Sequence, residues 1–433
     1  DRVGNLVIRK SASKGRENSM PVVLQAHVDM VPQKNNDVVH DFTKDPIVPI
    51  IDGEWVKAQG TTLGADNGIG VAAALSILES KDIVHGPLEV LFTVDEETGM
   101  TGAFNLSEGF INGKVLLNLD SEEYGEIFIG CAGGINAIAT FNYKKEIVDK
   151  GNIALLLELK GLKGGHSGVD IHLGRANANK LMNRFLWNAE HFFGLRLVYF
   201  NGGNMRNAIP REATALVTIP KHFEKDFLNS VNSFEQTYRD EYSSVEDNIS
   251  FRATRAELPK YCIDKHTTGN LLDALYAIPN GVIRMIPEMP DVVETSTNLA
   301  IVQTNENNIQ VVSLLRSSVD TAKIDLCNMI ESIFDMALAN TTHEGDYPGW
   351  KPNFNSPLLR TMKEVYSSIH NEEPKVKVIH AGLECGIIGA IFPGIDMISF
   401  GPTIKYPHSP DEKVEIKSVG LFWNYLLKVL ERL

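Results

Sequence analysis

The 433-residue chain is long enough for two large domains, or for about three of ~150 residues each. Its 41 Lys+Arg against 55 Asp+Glu leave a formal charge of −14, which argues against a nucleic-acid partner, since that partner's footprint is a basic face. Hydrophobic residues at 43% and charged ones at 22% exclude wholesale disorder, and no apolar run approaches the roughly 18 residues of a membrane-crossing helix, so no membrane is expected as a partner.

The chain opens DRVGNLVIRK, without Met and without a basic-then-apolar leader. Leu6, Val7 and Ile8 read as a strand, and an upstream segment is expected. Val22–Leu24 reads as a buried strand. A turn at Gly64-Ala65-Asp66-Asn67 opens a small-residue helix over Gly68–Leu78, and Leu88–Val94 and Val115–Leu119 are two further buried strands. Apolar strands alternating with helices predict an α/β domain with a mostly parallel sheet flanked by helices. From about residue 135 the character changes to half-buried strands (Ala154–Lys160, Ala213–Ile219, Val311–Leu315) and amphipathic helices (Asn177–Ala189, Thr321–Leu338). Phe223–Glu257 reads as one polar helical stretch. After Trp350 the first pattern returns, with helices over Pro357–His370 and Lys417–Leu430 and strands at Val376–Ile379 and Met397–Phe400. The expected organisation is therefore a discontinuous domain, residues 1–134 and 350–433, interrupted by an α+β insert at 135–349. The cysteines (Cys131, Cys262, Cys327, Cys385) lie far apart with no CxxC, as expected of free thiols in a reducing cytoplasm.

Ligands of parallel sheets gather at the carboxyl ends of the strands, so the residues that follow each strand carry the argument. After Val22–Leu24 come His27 and Asp29; after Leu88–Val94 come Asp95, Glu96 and Glu97; after Val115–Leu119 comes Asp120. The turn before the helix holds Asp66, and His408 follows the strand at Met397–Phe400. Singly, each acid reads as a helix cap or a loop residue and His27 as a structural histidine. Together they form a mixed His/carboxylate set that suits Zn²⁺, Mn²⁺ or Co²⁺. The excess of carboxylates suggests two ions. Cys385 reads as buried and inert.

The runs around His27-Val28-Asp29, Gly64-Ala65-Asp66-Asn67-Gly68, Asp95-Glu96-Glu97 and Leu119-Asp120 resemble the dinuclear zinc peptidase superfamily that includes carboxypeptidase G2. The longer motifs GTTLGADNGIG, NLDSEEYGEIFIGCAGG, GLKGGHSGVDIH, NAIPREA, HAGLECG and GPTIKYPHSPDE are similar to the bacterial aminoacyl-histidine (Xaa-His) dipeptidases, over essentially the whole chain. One departure is the absence of the helical segment that these enzymes carry ahead of the first strand.

The resemblance implies a catalytic metal domain with an inserted lid, and two divalent ions per chain, Zn²⁺ first, with Co²⁺ or Mn²⁺ as substitutes. It makes His27 and Asp120 ligands of one ion, Glu97 and His408 ligands of the other, and Asp66 the bridge. Asp29 would orient His27, Glu96 would be the general base for a metal-bridged hydroxide, and the Asp66–Asn67 peptide would be cis. His166 would be an oxyanion donor brought by the insert. Asn207 and Arg316 are candidates for the substrate's terminal carboxylate, a task that suits a bidentate arginine, with a structural ion pair as the alternative for Arg316. Glu384 is the candidate for the free ammonium, or else a structural carboxylate. The expected activity is hydrolysis of unblocked dipeptides, especially Xaa-His, in the cytoplasm, with a small peptide as partner and a homodimer left open. An N-acyl amino acid deacylase and a non-catalytic binding protein are the alternatives.

Overall fold

In the computed structural model, which describes residues 1–433, the three apolar runs of the first third become neighbours in one sheet. Every residue of the strands Val22–His27, Leu88–Thr93 and Val115–Asn118 is buried. A strand covered on both faces has no polar side to alternate with, so it reads as a continuous apolar run. The seven strands lie in the order Leu6–Lys10, Leu88–Thr93, Val22–His27, Val115–Asn118, Asp396–Ser399, Glu126–Cys131, Lys375–Ile379. Pairing is parallel through the centre and between the last two strands. It is antiparallel at Leu6–Lys10 and where Asp396–Ser399 meets Glu126–Cys131. This is the mostly parallel α/β sheet expected, built from both ends of the chain.

The helix Ala65–Glu79 packs on this sheet through small residues. A Cβ on Gly70 would fall 2.7 Å from the Leu119 carbonyl oxygen, so glycine there lets the helix approach the strand end that leads into Asp120.

The chain divides into two compact units, Asp1–Cys131 with Trp350–Leu433, and Ala132–Gly349. The second begins ahead of residue 135 because Gly133 already pairs with Ser317 in its sheet. That nine-stranded sheet runs Ser250–Ala256, Asn152–Lys160, Ala213–Pro220, Arg196–Gly202, Met289–Thr304, Asn308–Ser317, Gly133–Asn142, Asn340–Tyr347, with Gly281–Ile286 paired to Met289–Thr304. All its ladders are antiparallel. Leu155, Leu157 and Leu159 alternate into the core with Ala213, Ala215, Val217 and Ile219, the period-2 pattern of a strand buried on one face. Against them pack Phe185 from the helix Ala178–Phe193 and Phe227 from the helix Glu224–Glu241.

The single helix expected over Phe223–Glu257 is corrected. The helix stops at Glu241, and Ser250–Ala256 is an edge strand paired to Asn152–Lys160. Its apolar anchor, Phe251, is fully buried between polar neighbours that leave no clear alternation. All four cysteines are buried, and none is joined in a disulfide. No helix is long and apolar enough to cross a membrane.

Candidate active site

His27 is the last residue of its strand and is 1% exposed. Its Nδ1–H donates to the Asp29 carbonyl oxygen at 3.1 Å, which fixes the ring and leaves Nε2 facing inward. Nε2 lies 3.1 Å from Asp66 Oδ1 and 3.2 Å from Asp120 Oδ1. The other oxygen of Asp66, Oδ2, lies 3.3 Å from His408 Nε2, which also approaches Glu97 Oε2 at 3.0 Å. One carboxylate thus faces two imidazoles, one oxygen each. The Asp66–Asn67 peptide bond is cis.

Electrostatics here call for a cation. Burial works to lower the His27 pKa, but Asp120, Asp29 and Asp66 overcome it and hold the imidazole well above its usual range. Asp66 and Glu97 raise His408 to about 10. Burial lifts Asp120 to about 6 despite its histidine neighbour. Asp120 Oδ1 and Glu97 Oε1 are buried without a hydrogen-bond partner, the former close to His27 but off hydrogen-bond geometry. A neutral imidazole lone pair pointed at carboxylate oxygens is repulsive; a proton or a metal ion resolves it. Ligand atoms of His27, Asp66 and Glu97 all lie within 4.8 Å of one another. The donor set fits a divalent metal, with His and carboxylate ligands of the type that zinc takes.

Asp29 does two jobs. Beside its contact with His27, its carboxylate accepts from the backbone N–H groups of Glu96 and Glu97, both at 3.1 Å. Burial opposes its ionisation, but His27 and these two donors hold it down at about 2. This places Glu96 and Glu97 at the start of the short helix Glu96–Gly99. Glu97 turns to His408, whereas Glu96 is pushed up to about 8 by burial and by the charge of Asp120. A carboxyl poised near neutrality is suited to proton transfer.

Two buried carboxylates support the centre. Glu384, 1% exposed at the start of the helix Glu384–Ile391, accepts through Oε2 from Gln25 Nε2 at 2.6 Å and Thr93 Oγ1 at 2.7 Å. Its Oε1 is buried and unpartnered, and burial raises the group to about 7. Glu412, 2% exposed, accepts from the backbone N–H groups of Leu63, Gly64, Ala65 and Asp66. The sequence reading missed Glu412. Its only local signal is an acid four residues past His408, and its partners lie some 350 residues away in the chain.

In the inserted unit, His166 sits in a two-residue strand paired with Ala208–Ile209, so that Asn207, whose carbonyl accepts from Ser167 N at 2.8 Å, is its neighbour. His166 Nδ1 accepts from the N–H groups of Gly168 and Val169, both at 3.1 Å. The ring proton is therefore on Nε2, free to donate. Burial and the charge of Arg316 lower the His166 pKa, which keeps that tautomer neutral. Arg316 is 5% exposed, donates to the Tyr347 hydroxyl at 2.9 Å, and leaves Nε buried without a partner. It makes no ion pair, and a buried guanidinium without a counter-charge is costly. The structure thus gathers His27, Asp29, Asp66, Glu96, Glu97, Asp120, Glu384 and His408 in one unit, and His166, Asn207 and Arg316 in the other.

Comparison with known proteins adds the family. The profile of peptidase family M20/M25/M40 matches residues 23–432. The Escherichia coli (strain K12) protein named cytosol non-specific dipeptidase is 49% identical over 434 residues, covering 100% of this chain and 89% of that one. The crystal structure of aminoacylhistidine dipeptidase from Vibrio alginolyticus superposes with a TM-score of 0.96 at 48% identity, covering 100% of this chain and 88% of the other. An aminopeptidase PepT structure from Bacillus cereus, at 16% identity and a TM-score of 0.54 over 99% of this chain and 84% of that one, shares the fold alone. The profile match and near-half identity across the whole chain leave one assignment: the protein belongs to peptidase family M20/M25/M40.

Proposed function

We propose that this peptidase hydrolyses unblocked dipeptides, Xaa-His among them, with two divalent ions, zinc first, held by His27, Asp120, Glu97, His408 and the shared carboxylate of Asp66. The observation that carries the reading is Asp66, with one oxygen toward His27 and the other toward His408. Such ions supply Lewis acidity and bring the pKa of water towards neutrality. Glu96 takes the proton of the attacking water and passes it to the departing amine. Asp29 keeps His27 in its ligating tautomer. The Nε2–H of His166 donates to the developing oxyanion.

The ends of the substrate define its class. Arg316 and Asn207 hold the terminal carboxylate, and Glu384, through its unpartnered Oε1, takes the terminal ammonium. A site built around buried charges rejects analogues that leave those charges unpaired. The names of the relatives, a non-specific dipeptidase and an aminoacylhistidine dipeptidase, support this substrate class. A cytoplasmic location accords with the first of those names and with cysteines joined in no disulfide.

The test is elemental analysis of the purified protein together with parallel assays of Ala-His, N-acetyl-Ala-His and Ala-His amide. Two ions per chain and chelator-sensitive hydrolysis of the free dipeptide alone are expected. Activity without metal, or equal rates on the blocked substrates, overturns the reading.

A further inference from the structure

The loop that carries His166 is closed at its base by a single buried carboxylate. Glu246, 5% exposed, lies in the turn after the helix Glu224–Glu241. It accepts from Lys163 N through Oε2 at 2.8 Å and from Ala176 N through Oε1 at 3.0 Å, and these two donors bracket residues 163–176. We propose that Glu246 is a positioning residue for His166: it pins both ends of the loop and so holds the imidazole where its Nε2–H meets the developing oxyanion. The proposal rests on the oxyanion role given to His166 above and deepens it.

The chemistry of the anchor is particular. Glu246 pairs with no cation, since the ammonium of the adjoining Lys163 turns to Asp247 at 2.9 Å. A buried carboxylate without a counter-charge is costly, and a hydroxyl could accept from one N–H without that cost. What the carboxylate adds is two acceptor oxygens, one for each end of the loop. The helix Ala178–Phe193 begins just past Ala176, and its N-terminus favours the negative charge. Turn and loop base also meet backbone to backbone. Gly161 has φ 87°, and a Cβ there would fall 1.9 Å from the Asn248 carbonyl oxygen.

Inside the bracket the loop is braced, so that an anchor at its ends is felt at its middle. His166 N donates to Asp170 Oδ2 at 2.8 Å, and Arg175 donates to the Gly164 carbonyl and approaches Asp170 at 3.6 Å. Beyond His166, Ile171 packs with Ile209 and Val293, and Ala178 N donates to the Pro210 carbonyl at 3.1 Å. The effect of Glu246 on the imidazole therefore passes through the loop backbone. A displacement of about 1 Å in a group that acts on the reacting atoms costs roughly 10²-fold in rate. The ladder to Ala208–Ile209 remains when Glu246 is removed, so the loss is partial.

The experiment is a double-mutant cycle on the metal-loaded enzyme, with Ala-His as substrate. Glu246→Ala should lower kcat about 10- to 100-fold, with metal content unchanged and KM within about threefold of the wild type. In the His166→Ala background the same substitution should cost less than about twofold further, because the group it positions is gone. Should Glu246→Ala fail to fold, Glu246→Gln serves: it keeps the volume and one acceptor, and turns an NH₂ group toward the other N–H. The same collapse of its effect in the His166→Ala background is expected. A residue that serves folding alone would cost as much kcat in both backgrounds; that result, or full kcat in a folded Glu246 variant, overturns the positioning role alone. Full activity in His166→Ala overturns the oxyanion reading and the positioning role with it.

Discussion

Glu96 and Glu97 are neighbours in the chain and opposites in environment. Glu97 approaches His408 at 3.0 Å, while Glu96 has burial and like charge around it. Glu96→Gln should therefore keep the metal and lower kcat by about 10²–10⁴, the range for a general acid–base group, whereas Glu97→Gln should lower metal content itself. Elemental analysis beside kcat separates the two, and a Glu96→Gln enzyme near full activity ends the assignment. His166 gives a second test at this scale. Burial and Arg316 disfavour its protonated form in the folded protein, so the unfolded chain binds that proton more readily. The stability tied to neutral His166 is present above the unfolded pKa of about 6.5 and is lost as pH falls through it toward the lower folded value. An NMR titration should find His166 below 6.5, and Arg316→Gln should move it upward; a His166 that titrates identically in both proteins refutes the coupling.

Among elements, the turn before the helix Ala65–Glu79 shows how the segment that carries Asp66 is held by its backbone. Glu412 binds the N–H groups of Leu63, Gly64, Ala65 and Asp66, and its own N–H donates to Ser409 O in the loop that carries His408. The loops that carry Asp66 and His408 are thus tied through one residue, whose carboxylate also sits favourably at a helix N-terminus. Glu412→Gln should cost about 2 kcal/mol of stability and weaken metal binding about tenfold, as losses of supporting hydrogen bonds around ligands do. Denaturant unfolding of the apoprotein and a metal competition titration read the two separately; unchanged metal affinity would show that the clamp serves folding only. The inserted unit marks where element patterns failed. The helix expected from Asn177 does start there, with Asn177 capping the N–H groups of Asn179 and Lys180, because caps are local chemistry. The edge strand Ser250–Ala256 escaped notice because its one deep anchor, Phe251, gives no period to count.

Across the whole molecule, the five proposed ligands, which run from His27 to His408, would make metal a cross-link between distant parts of the chain. Ligands that bind only the folded state stabilise it by mass action, about 4 kcal/mol at a thousandfold excess over Kd. Chelation should therefore lower the melting temperature and abolish hydrolysis together, and Zn²⁺, Co²⁺ or Mn²⁺ should restore both. In Asp66→Ala the chelator should have little further effect on melting. A wild-type melting temperature indifferent to chelator contradicts a folded-state metal centre.

The sequence by itself determined the class of sheet, the insertion between its halves and which polar side chains stand at its strand ends. Each of these is written locally: a run buried on both faces, the polar residue at its carboxyl end, a glycine-rich turn before a helix. It also marked His166, Asn207 and Arg316, although the neutral Nε2–H tautomer of His166 follows only from the two backbone donors on Nδ1. What only the tertiary structure decided is which groups meet. That Asp66 divides its oxygens between His27 and His408, that Glu412 clamps residues 63–66, and that Glu384 lies under Gln25 and Thr93 are pairings across 39 to 359 residues of chain. No local pattern encodes such pairings, because they depend on the register and packing of whole elements. The energies that fix that packing are spread over the whole buried core, far beyond the paired residues.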